Sequence, residues 1–307
     1  GAFGFRTPET MRLAVIENLN GSEAYCASSK GIFPAREAVV MQQQDLGVMD
    51  AHHDEVWIGN GVSELIMMCM RALINPGDEV LLPSPDYPLW TASVVIHGGR
   101  AVHYACRPEQ NYLPDVDAIR EQISERTRAL VVINPNNPTG AVYPRETLEG
   151  LVALAEEHNL VLFTDEIYGD MTYDTVPFQP IAPLVKNTLC GTFSGLSKVY
   201  RACGYRVGWV SFNGEKSHAR DYLLGIDLLA SLRLCSNVPG QWAVQTALGG
   251  FQSIGKLVRP GGRLYETRQV IIDAVAASPH LHLVAPAGAM YAFIRVDTEH
   301  LPDFDDE

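Results

Sequence analysis

Short apolar runs alternate with longer amphipathic runs in the first two thirds of the sequence. From Val62 to Ile74, apolar side chains recur at spacings of three and four, which is the period of a helix. The apolar runs between such segments are short and are bounded by turn residues, so they predict strands. The predicted strands are, in chain order, "VWIG", "EVLLP", "AVHYA", "RALVVI", "LVLFTD", "TLCGTFS" and "RVGWVSF".

Helical patterns lie between most of these strands. Strands that alternate with helices are typical of a mostly parallel sheet with helices on both faces. We therefore predict an α/β fold. The predicted helices of this region are "VSELIMMCMRALI", "PLWTASVVIH", "DVDAIREQI" and "RETLEGLVALAEEH".

The pattern changes after about residue 214, where helical segments follow one another without strands. Pro260, Gly261 and Gly262 interrupt the helical region, and such residues are typical of a break between elements. Two strand-like segments, "LHLVAP" and "AMYAFIRV", come last. We predict a large domain over residues 1–260 and the start of a smaller α+β domain over residues 261–307. The first and last residues lie within unfinished elements, so we expect a longer natural protein.

The composition disfavours several classes of function. The 307 residues carry a formal net charge of -13, which disfavours a nucleic-acid binder because phosphate binding needs a basic face. No apolar stretch approaches the roughly 20 residues of a membrane helix, and we expect a cytoplasmic protein. The six cysteines form no C-x-x-C pair, and the pairs His52-His53 and His280/His282 lack a cluster of other ligands, so we predict no metal site.

Two charged residues follow predicted strands, at the ends where ligands bind in open α/β sheets. Asp165 ends "LVLFTD", and a carboxylate there is costly unless a cation pairs with it. Lys198 follows "TLCGTFS" among small residues. A lysine in a partly dry site can form a Schiff base with a carbonyl, although most loop lysines are only surface residues.

Two loops add candidate ligand contacts. "GNGVSE", residues 59–64, could hold an anion at the start of the following helix, or it is a plain tight turn. "NPNNPTG", residues 134–140, is either an ordinary turn or a rigid loop. In the second case Pro138 restricts the backbone at Asn137 and the side-chain amide points into a site.

These segments together resemble one enzyme family. "GLSKVYRACGYRVG" resembles the pyridoxal-phosphate (PLP) attachment motif of the class I/II aminotransferases, and "PSPDYPLW", "NPNNPTG" and "TDEIY" resemble that family's other motifs in the same order. The resemblance runs from about residue 3 to the end. "IGNGVSELI", "GYRVGW" and Arg201 are similar to the alanine (glutamate–pyruvate) branch. A PLP-dependent transferase of fold type I is therefore expected.

The resemblance implies a role for each matching residue. Lys198 would form the Schiff base with PLP and move a proton during the reaction, and Asp165 would pair with the ring nitrogen. Asn137 and Tyr168 would bind the ring's phenolic oxygen, Asn137 would also touch the substrate carboxylate, and Tyr87 would stack on the ring. The peptide bonds before Pro85 and Pro138 would be cis.

The resemblance also implies how the phosphate is bound. Gly195 stands where a relative often has a serine, so either the hydroxyl of Ser194 or Ser197 would serve instead or this contact would be lost. Tyr25 would reach the phosphate of the neighbouring subunit, which implies a homodimer. The other phosphate contacts would come from Gly61, Val62 and Arg206.

We expect an aminotransferase that moves an amino group between an L-amino acid, preferably alanine, and a 2-oxo acid such as 2-oxoglutarate. The family's main arginine for the substrate carboxylate would follow Glu307, so the sequence leaves the amino donor open. A same-fold PLP enzyme with another outcome, such as a C–S lyase or a pathway-specific transaminase, is an alternative. A non-catalytic PLP-binding sensor is another, and the acidic charge disfavours it.

Overall fold

The computed structural model of the protein describes residues 5–21 and 27–299. Within that part of the chain, seven strands form one sheet and two more form a separate small sheet. Each predicted strand of the large sheet is present, within two residues of its predicted bounds. The strands are β1 (Val56–Gly59), β2 (Glu79–Ser84), β3 (Arg100–Ala105), β4 (Thr127–Ile133), β5 (Val161–Asp165), β6 (Leu189–Gly195) and β7 (Gly208–Gly214).

The large sheet is mostly parallel, as predicted. Its strand order is β1-β7-β6-β5-β4-β2-β3. Neighbouring strands run parallel from β6 to β3, whereas β7 runs antiparallel to both β6 and β1. Since β7 runs the opposite way, the start of β7 lies at the same edge as the ends of the other strands.

Helices cover both faces of this sheet. Their bounds are α1 (Glu9–Gly21), α2 (Phe33–Asp45), α3 (Val62–Leu73), α4 (Pro88–Ile96), α5 (Val116–Arg120), α6 (Arg145–Glu157), α7 (Arg220–Leu232), α8 (Val238–Gln241), α9 (Ala243–Gly249) and α10 (Arg263–Ala276). Among the described residues, no helix combines the length and the apolar character needed to cross a membrane.

Strand β4 shows why the sheet is buried on both sides. Its side chains alternate between the two faces, and all from Ala129 onward are apolar. Leu130 packs in one cluster with Leu151 of α6, whereas Val131 packs on the other face with Leu65 of α3. Each fully buried leucine stabilises the fold by about 2 kcal/mol. The strand ends are therefore anchored in a well-packed core.

The segment after α10 differs from its prediction. Strands β8 (Leu281–Leu283) and β9 (Ile294–Val296) pair antiparallel, but residues 289–293 are not a strand. Ala289 has a left-handed φ of 57°, and its N–H donates to the Met171 carbonyl. The prediction of a strand is wrong for these residues, because the chain at Ala289 packs against the segment after β5 instead of pairing in a sheet.

The residues just before Ala289 pack against the "NPNNPTG" loop. The Gly140 carbonyl accepts hydrogen bonds from the N–H groups of Ala287 (2.9 Å) and Gly288 (2.8 Å). A Cβ at Gly288 would lie 2.7 Å from Val142 and 2.9 Å from Pro135, so only glycine allows this approach. The domain division at residue 260 stays a prediction, and the segment beyond it contributes to the region where the polar residues converge.

Candidate active site

A cavity of about 270 Å³ opens at the edge of the large sheet where β4, β5 and β6 end. It is lined by most of the residues that the sequence predicted as site residues. Gly61 lies beside the cavity, next to Arg206, and Tyr25 lies outside the described residues. The predicted residues that line it are Val62, Tyr87, Asn137, Asp165, Tyr168, Ser197, Lys198 and Arg206.

The sheet register explains this convergence. Ile133 at the end of β4 pairs with Asp165 at the end of β5, and Asp165 pairs with Phe193 near the end of β6. The segments that follow these strands therefore begin side by side. Gly208, at the start of β7, pairs with Gly59 at the end of β1, which brings "GNGVSE" to the same edge.

Asp165 is a buried carboxylate, 4% exposed. Its Oδ2 accepts a hydrogen bond from Trp90 Nε1 and its Oδ1 accepts one from the Ile167 N–H, each at 3.3 Å. No described cation lies within ion-pair distance of it. Burial raises the pKa of Asp165 from 3.8 to about 6, against the opposing effects of these hydrogen bonds and of the more distant Lys198. The site thus holds a carboxylate suited to a cationic ligand atom.

Lys198 is carried by a tight turn over residues 196–202. The Ala202 N–H donates to the Leu196 carbonyl (2.9 Å), and the Arg201 N–H donates to the Lys198 carbonyl (3.0 Å). Thr7 Oγ1 donates to the Arg201 carbonyl at 3.0 Å, which links the turn to the start of the chain. Lys198 Nζ lies 5.9 Å from the centroid of the Tyr168 ring, so the amine faces the cavity.

An anion-binding corner lies at the start of α3. Val62 begins this helix directly after Gly61, whose φ is 88°, and no described side chain caps it. A Cβ at Gly61 would lie 2.2 Å from Arg206 Nη2, and one at Gly208 would lie 2.4 Å from the Val62 nitrogen. The two glycines therefore let a guanidinium and a strand approach the free N–H groups of the helix, a combination that favours phosphate.

Arg206 is oriented by backbone carbonyls. Its Nη1 donates to the carbonyl of Cys203 (2.9 Å) and its Nη2 donates to that of Asn60 (3.2 Å). A guanidinium has five N–H donors, so others remain for a ligand. The hydroxyls of Ser63 and Ser197 line the same cavity.

The "NPNNPTG" loop is held by its own polar groups. Asn136 Oδ1 accepts from the N–H of Thr139 (3.1 Å) and from its Oγ1 (2.8 Å), while the Asn137 side chain lines the cavity. The bonds before Pro85 and Pro138 are cis, as predicted, and the bond before Pro135 is cis as well. The loop presents the amide of Asn137 from a fixed backbone.

Tyr168 is 2% exposed and lies beside Asp165 at the cavity wall. Its hydroxyl lies 2.6 Å from that of Tyr291, and the two rings meet edge to face, 5.6 Å apart. Burial raises the pKa of Tyr168, so its phenol stays protonated. It can donate one hydrogen bond.

Sequence reasoning missed several residues of this site. Trp90 was assigned only to a helix, and Tyr291 only to a strand; no spacing rule marks either of them. Cys203 and Ser63 also line the cavity, and neither of them was assigned a role from the sequence. Ser194, the alternative to Ser197, points into a different cavity beside Glu166. Of the two predicted serines, only Ser197 therefore lines the candidate site.

His52 and His53 lie close to the carboxylate of Asp54, although the sequence had indicated no cluster of other ligands beside them. Ligand atoms of these two histidines and Asp54 lie within 4.8 Å of one another. Arg36 Nη1, however, lies 3.7 Å from Asp54 Oδ1 and competes with a cation for it. The absence of a metal site stays a prediction.

The sequence is similar to those of known aminotransferases. The family model "Aminotransferase class I and II" matches residues 4–305. The glutamate-pyruvate aminotransferase AlaA of Escherichia coli is 49% identical over 305 residues, which cover 99% of this chain and 75% of that protein. The alanine aminotransferase of Mycobacterium bovis is 49% identical over 306 residues, covering 99% and 71%.

Solved structures similar to this chain are also aminotransferases. The crystal structure of an Escherichia coli aminotransferase matches with a TM-score of 0.96 at 49% identity, covering 99% of this chain and 75% of that one. The alanine aminotransferase of Pyrococcus furiosus matches with a TM-score of 0.91 at 35% identity, covering 96% and 74%. The chain therefore belongs to the class I and II aminotransferases, PLP-dependent enzymes of fold type I.

Proposed function

We propose that this aminotransferase moves the amino group between L-alanine and 2-oxoglutarate, with PLP held on Lys198. One observation carries the proposal. An amine and a buried carboxylate face a single cavity, in a chain 49% identical to relatives named glutamate-pyruvate and alanine aminotransferase. The substrate pair rests on the names of those relatives, and the cofactor-binding residues rest on the geometry.

The residues present fit the chemical groups of PLP. The start of α3 and Arg206 offer N–H donors to a phosphate, and a Cβ at Gly61 would fill the space that lets them approach. Asp165 lacks a cation partner among the described residues, and a protonated pyridine nitrogen would supply one. Lys198 offers the amine for the aldehyde.

When bound, PLP supplies an electron sink for the bonds at the substrate α-carbon. In the proposal, Asp165 keeps the proton on the ring nitrogen, because an ionised carboxylate beside a cation favours the charged form of both. Lys198 Nζ, free once the substrate's amine has replaced it on the cofactor, would move the proton from the substrate α-carbon to the cofactor's C4′ carbon. Its position on the rigid turn over residues 196–202 supports this role.

Tyr168 and Asn137 are proposed to donate to the ring's phenolic oxygen. Both line the cavity, on the segments after β5 and β4. Asn137 is also proposed to touch the substrate carboxylate. Tyr87 begins the segment that leads into α4 and is proposed to lie against the ring face. Ser197, Arg206, Gly61 and Val62 complete the proposed phosphate contacts.

A homodimer is part of this proposal. On α7, an apolar stripe at helical spacing is solvent-exposed: Leu224 is 55%, Leu228 59% and Leu232 82% exposed. Ser29 lies beside the end of this helix, where its carbonyl accepts from Arg233 Nη2 at 3.1 Å. A second copy covering the stripe would bury apolar surface next to the segment that leads back to Tyr25, which supports the proposed contribution of Tyr25 to the partner's site.

The cytoplasmic location is also proposed, and cell fractionation tests it.

Incubation of the purified protein with alanine and 2-oxoglutarate tests the function. Stoichiometric formation of pyruvate and glutamate is expected. Transamination of another amino acid without any turnover of alanine would replace alanine in the proposal. Elimination products without transamination would favour the C–S lyase. Cofactor binding without turnover of any substrate would favour the sensor.

A further inference from the structure

The contact between Tyr168 and Tyr291 carries an inference beyond the assigned roles. Their hydroxyl oxygens lie 2.6 Å apart, and both rings line the cavity. We propose that Tyr291 is a positioning residue that donates its hydroxyl proton to Tyr168, and so directs the Tyr168 proton toward the cofactor's phenolic oxygen. The inference rests on the proposed function of Tyr168.

The direction of the hydrogen bond follows from counting protons. Each phenol carries one hydrogen and can donate only once. If Tyr168 donated to Tyr291, it would present only lone pairs to the cavity, where the proposed ligand atom is a negatively charged oxygen. If Tyr291 donates, Tyr168 keeps its hydrogen for that oxygen. The second arrangement satisfies all three oxygens, and a donor that itself accepts a hydrogen bond is a stronger donor.

The backbone holds Tyr291 in this place. Two residues before it, Ala289 donates its N–H to the Met171 carbonyl (2.8 Å), and the Ala289 carbonyl accepts from Tyr173 Oη at 2.9 Å. Gly288 is tied to the Gly140 carbonyl of the "NPNNPTG" loop. The ring of Tyr291 also forms a wall of a second, smaller cavity beside Arg268. The backbone just before Tyr291 is therefore held against two neighbouring segments of the chain.

Other titratable groups face the same cavity from the packed elements. Asp165 ends β5, Lys198 and Arg206 follow β6, and Tyr87 precedes α4, with Cys203 beside Arg206. A change from Tyr291 to Phe leaves each of these groups in place. A shift in the protonation of the cofactor in that variant therefore reports on the hydroxyl of Tyr291.

The test is Tyr291→Phe in the PLP-loaded enzyme, with the visible absorption of the bound cofactor recorded against pH. A hydrogen bond to the phenolic oxygen lowers the pKa of the nitrogen that Lys198 shares with the cofactor. A weaker donor raises it. We expect the pH midpoint of the absorption change to rise by roughly half a unit to one unit. Tyr168→Phe should raise it further.

A double variant shows whether Tyr291 acts through Tyr168. With Tyr168 already changed to Phe, the additional Tyr291→Phe change should leave the midpoint where Tyr168→Phe put it. Tyr173→Phe is the matched control, because it removes a hydroxyl that anchors the same segment but does not line the cavity. It should lower the thermal midpoint of unfolding without moving the pH midpoint.

Three results would overturn the inference. These are an unmoved pH midpoint in Tyr291→Phe, an equal shift in the Tyr168→Phe background, and an equal shift in Tyr173→Phe. A parent protein that binds PLP without any pH-dependent visible band would overturn the proposed role of Lys198 as well. The two failures are therefore distinguishable.

Discussion

Trp90 donates its indole N–H to the carboxylate of Asp165, across 3.3 Å, at the point where β5 ends. The other donor to this carboxylate is also neutral, the N–H of Ile167. Neutral donors offset only part of the cost of burial, and the pKa of Asp165 accordingly lies at about 6. A positively charged ring nitrogen would provide the missing compensation, which leads to a prediction about pH.

The affinity of the cofactor-free protein for PLP should fall as the pH drops through about 6. Below that value Asp165 binds a proton, and this proton must leave before the carboxylate can pair with the ring cation. The fall should approach about tenfold per pH unit. Equilibrium binding measured by fluorescence across pH checks it.

Asp165→Asn provides the comparison for that titration. It should bind PLP more weakly at neutral pH and should lose most transaminase activity, because the amide cannot hold the ring proton. Its affinity should not show the step near pH 6. A step that persists in this variant would assign the titration to another group.

Lys198→Ala should remove the visible absorption of bound PLP and abolish transamination, while the fold persists. The side chain lines a cavity and makes no described hydrogen bond on which the fold depends. The control is Lys186→Ala, which changes an exposed lysine. Absorption spectra, far-ultraviolet circular dichroism and a pyruvate assay measure the three properties. An unchanged visible spectrum in Lys198→Ala would refute the assignment.

Gly208→Ala should destabilise the protein by about 1–3 kcal/mol and weaken PLP binding, because the new methyl group overpacks the contact between β7 and α3. Its Cβ would lie 2.4 Å from the Val62 nitrogen and 2.8 Å from the Gly61 carbonyl carbon. Gly204→Ala is the control, since nothing lies within 4 Å of a Cβ there. Thermal unfolding and PLP titration should separate the two variants. Equal behaviour would show that the corner at the start of α3 is not tightly packed.

Glu166→Gln should stabilise the protein at high pH. Burial raises the pKa of Glu166 from 4.5 to about 7. Since the folded protein binds this proton more tightly than the unfolded chain, the contribution of Glu166 to stability is full below about pH 4.5 and is lost as the pH rises through about 7.

Glu166 Oε1 accepts hydrogen bonds from Thr164 Oγ1 (3.1 Å) and from the Ile181 N–H (3.0 Å). Glutamine at this position carries no charge and keeps an oxygen that accepts from the same two donors. The gain should reach at most about 3 kcal/mol above pH 7 and should vanish near pH 4.5. Thermal unfolding at several pH values measures it, and Glu37→Gln at an exposed position is the control. A gain that does not depend on pH would contradict the explanation.

Sequence patterns predicted the sheet well because its strands are apolar on both faces and the helices that cover it are apolar on one face. In β4, every side chain from Ala129 to Ile133 is buried, so the apolar run and the strand coincide. The candidate site was predictable to the extent that its residues follow strand ends directly, as Asp165 does. Trp90 and Tyr291 were not predictable, because their contacts with Asp165 and Tyr168 depend on the packing of segments 75 and 123 residues away along the chain.

The paired hydrogen bonds at the Gly140 carbonyl have a consequence for recombining this chain with its relatives. A chimaera that replaced everything after Gly262 would also replace the two N–H donors, at residues 287 and 288, that the "NPNNPTG" loop relies on. A donor segment with a side chain at the position of Gly288 would be pushed away from Val142 and from Pro135 of the loop. A crossover point after Ala289 would keep that contact intact, and would be the better place to join this chain to another member of the family.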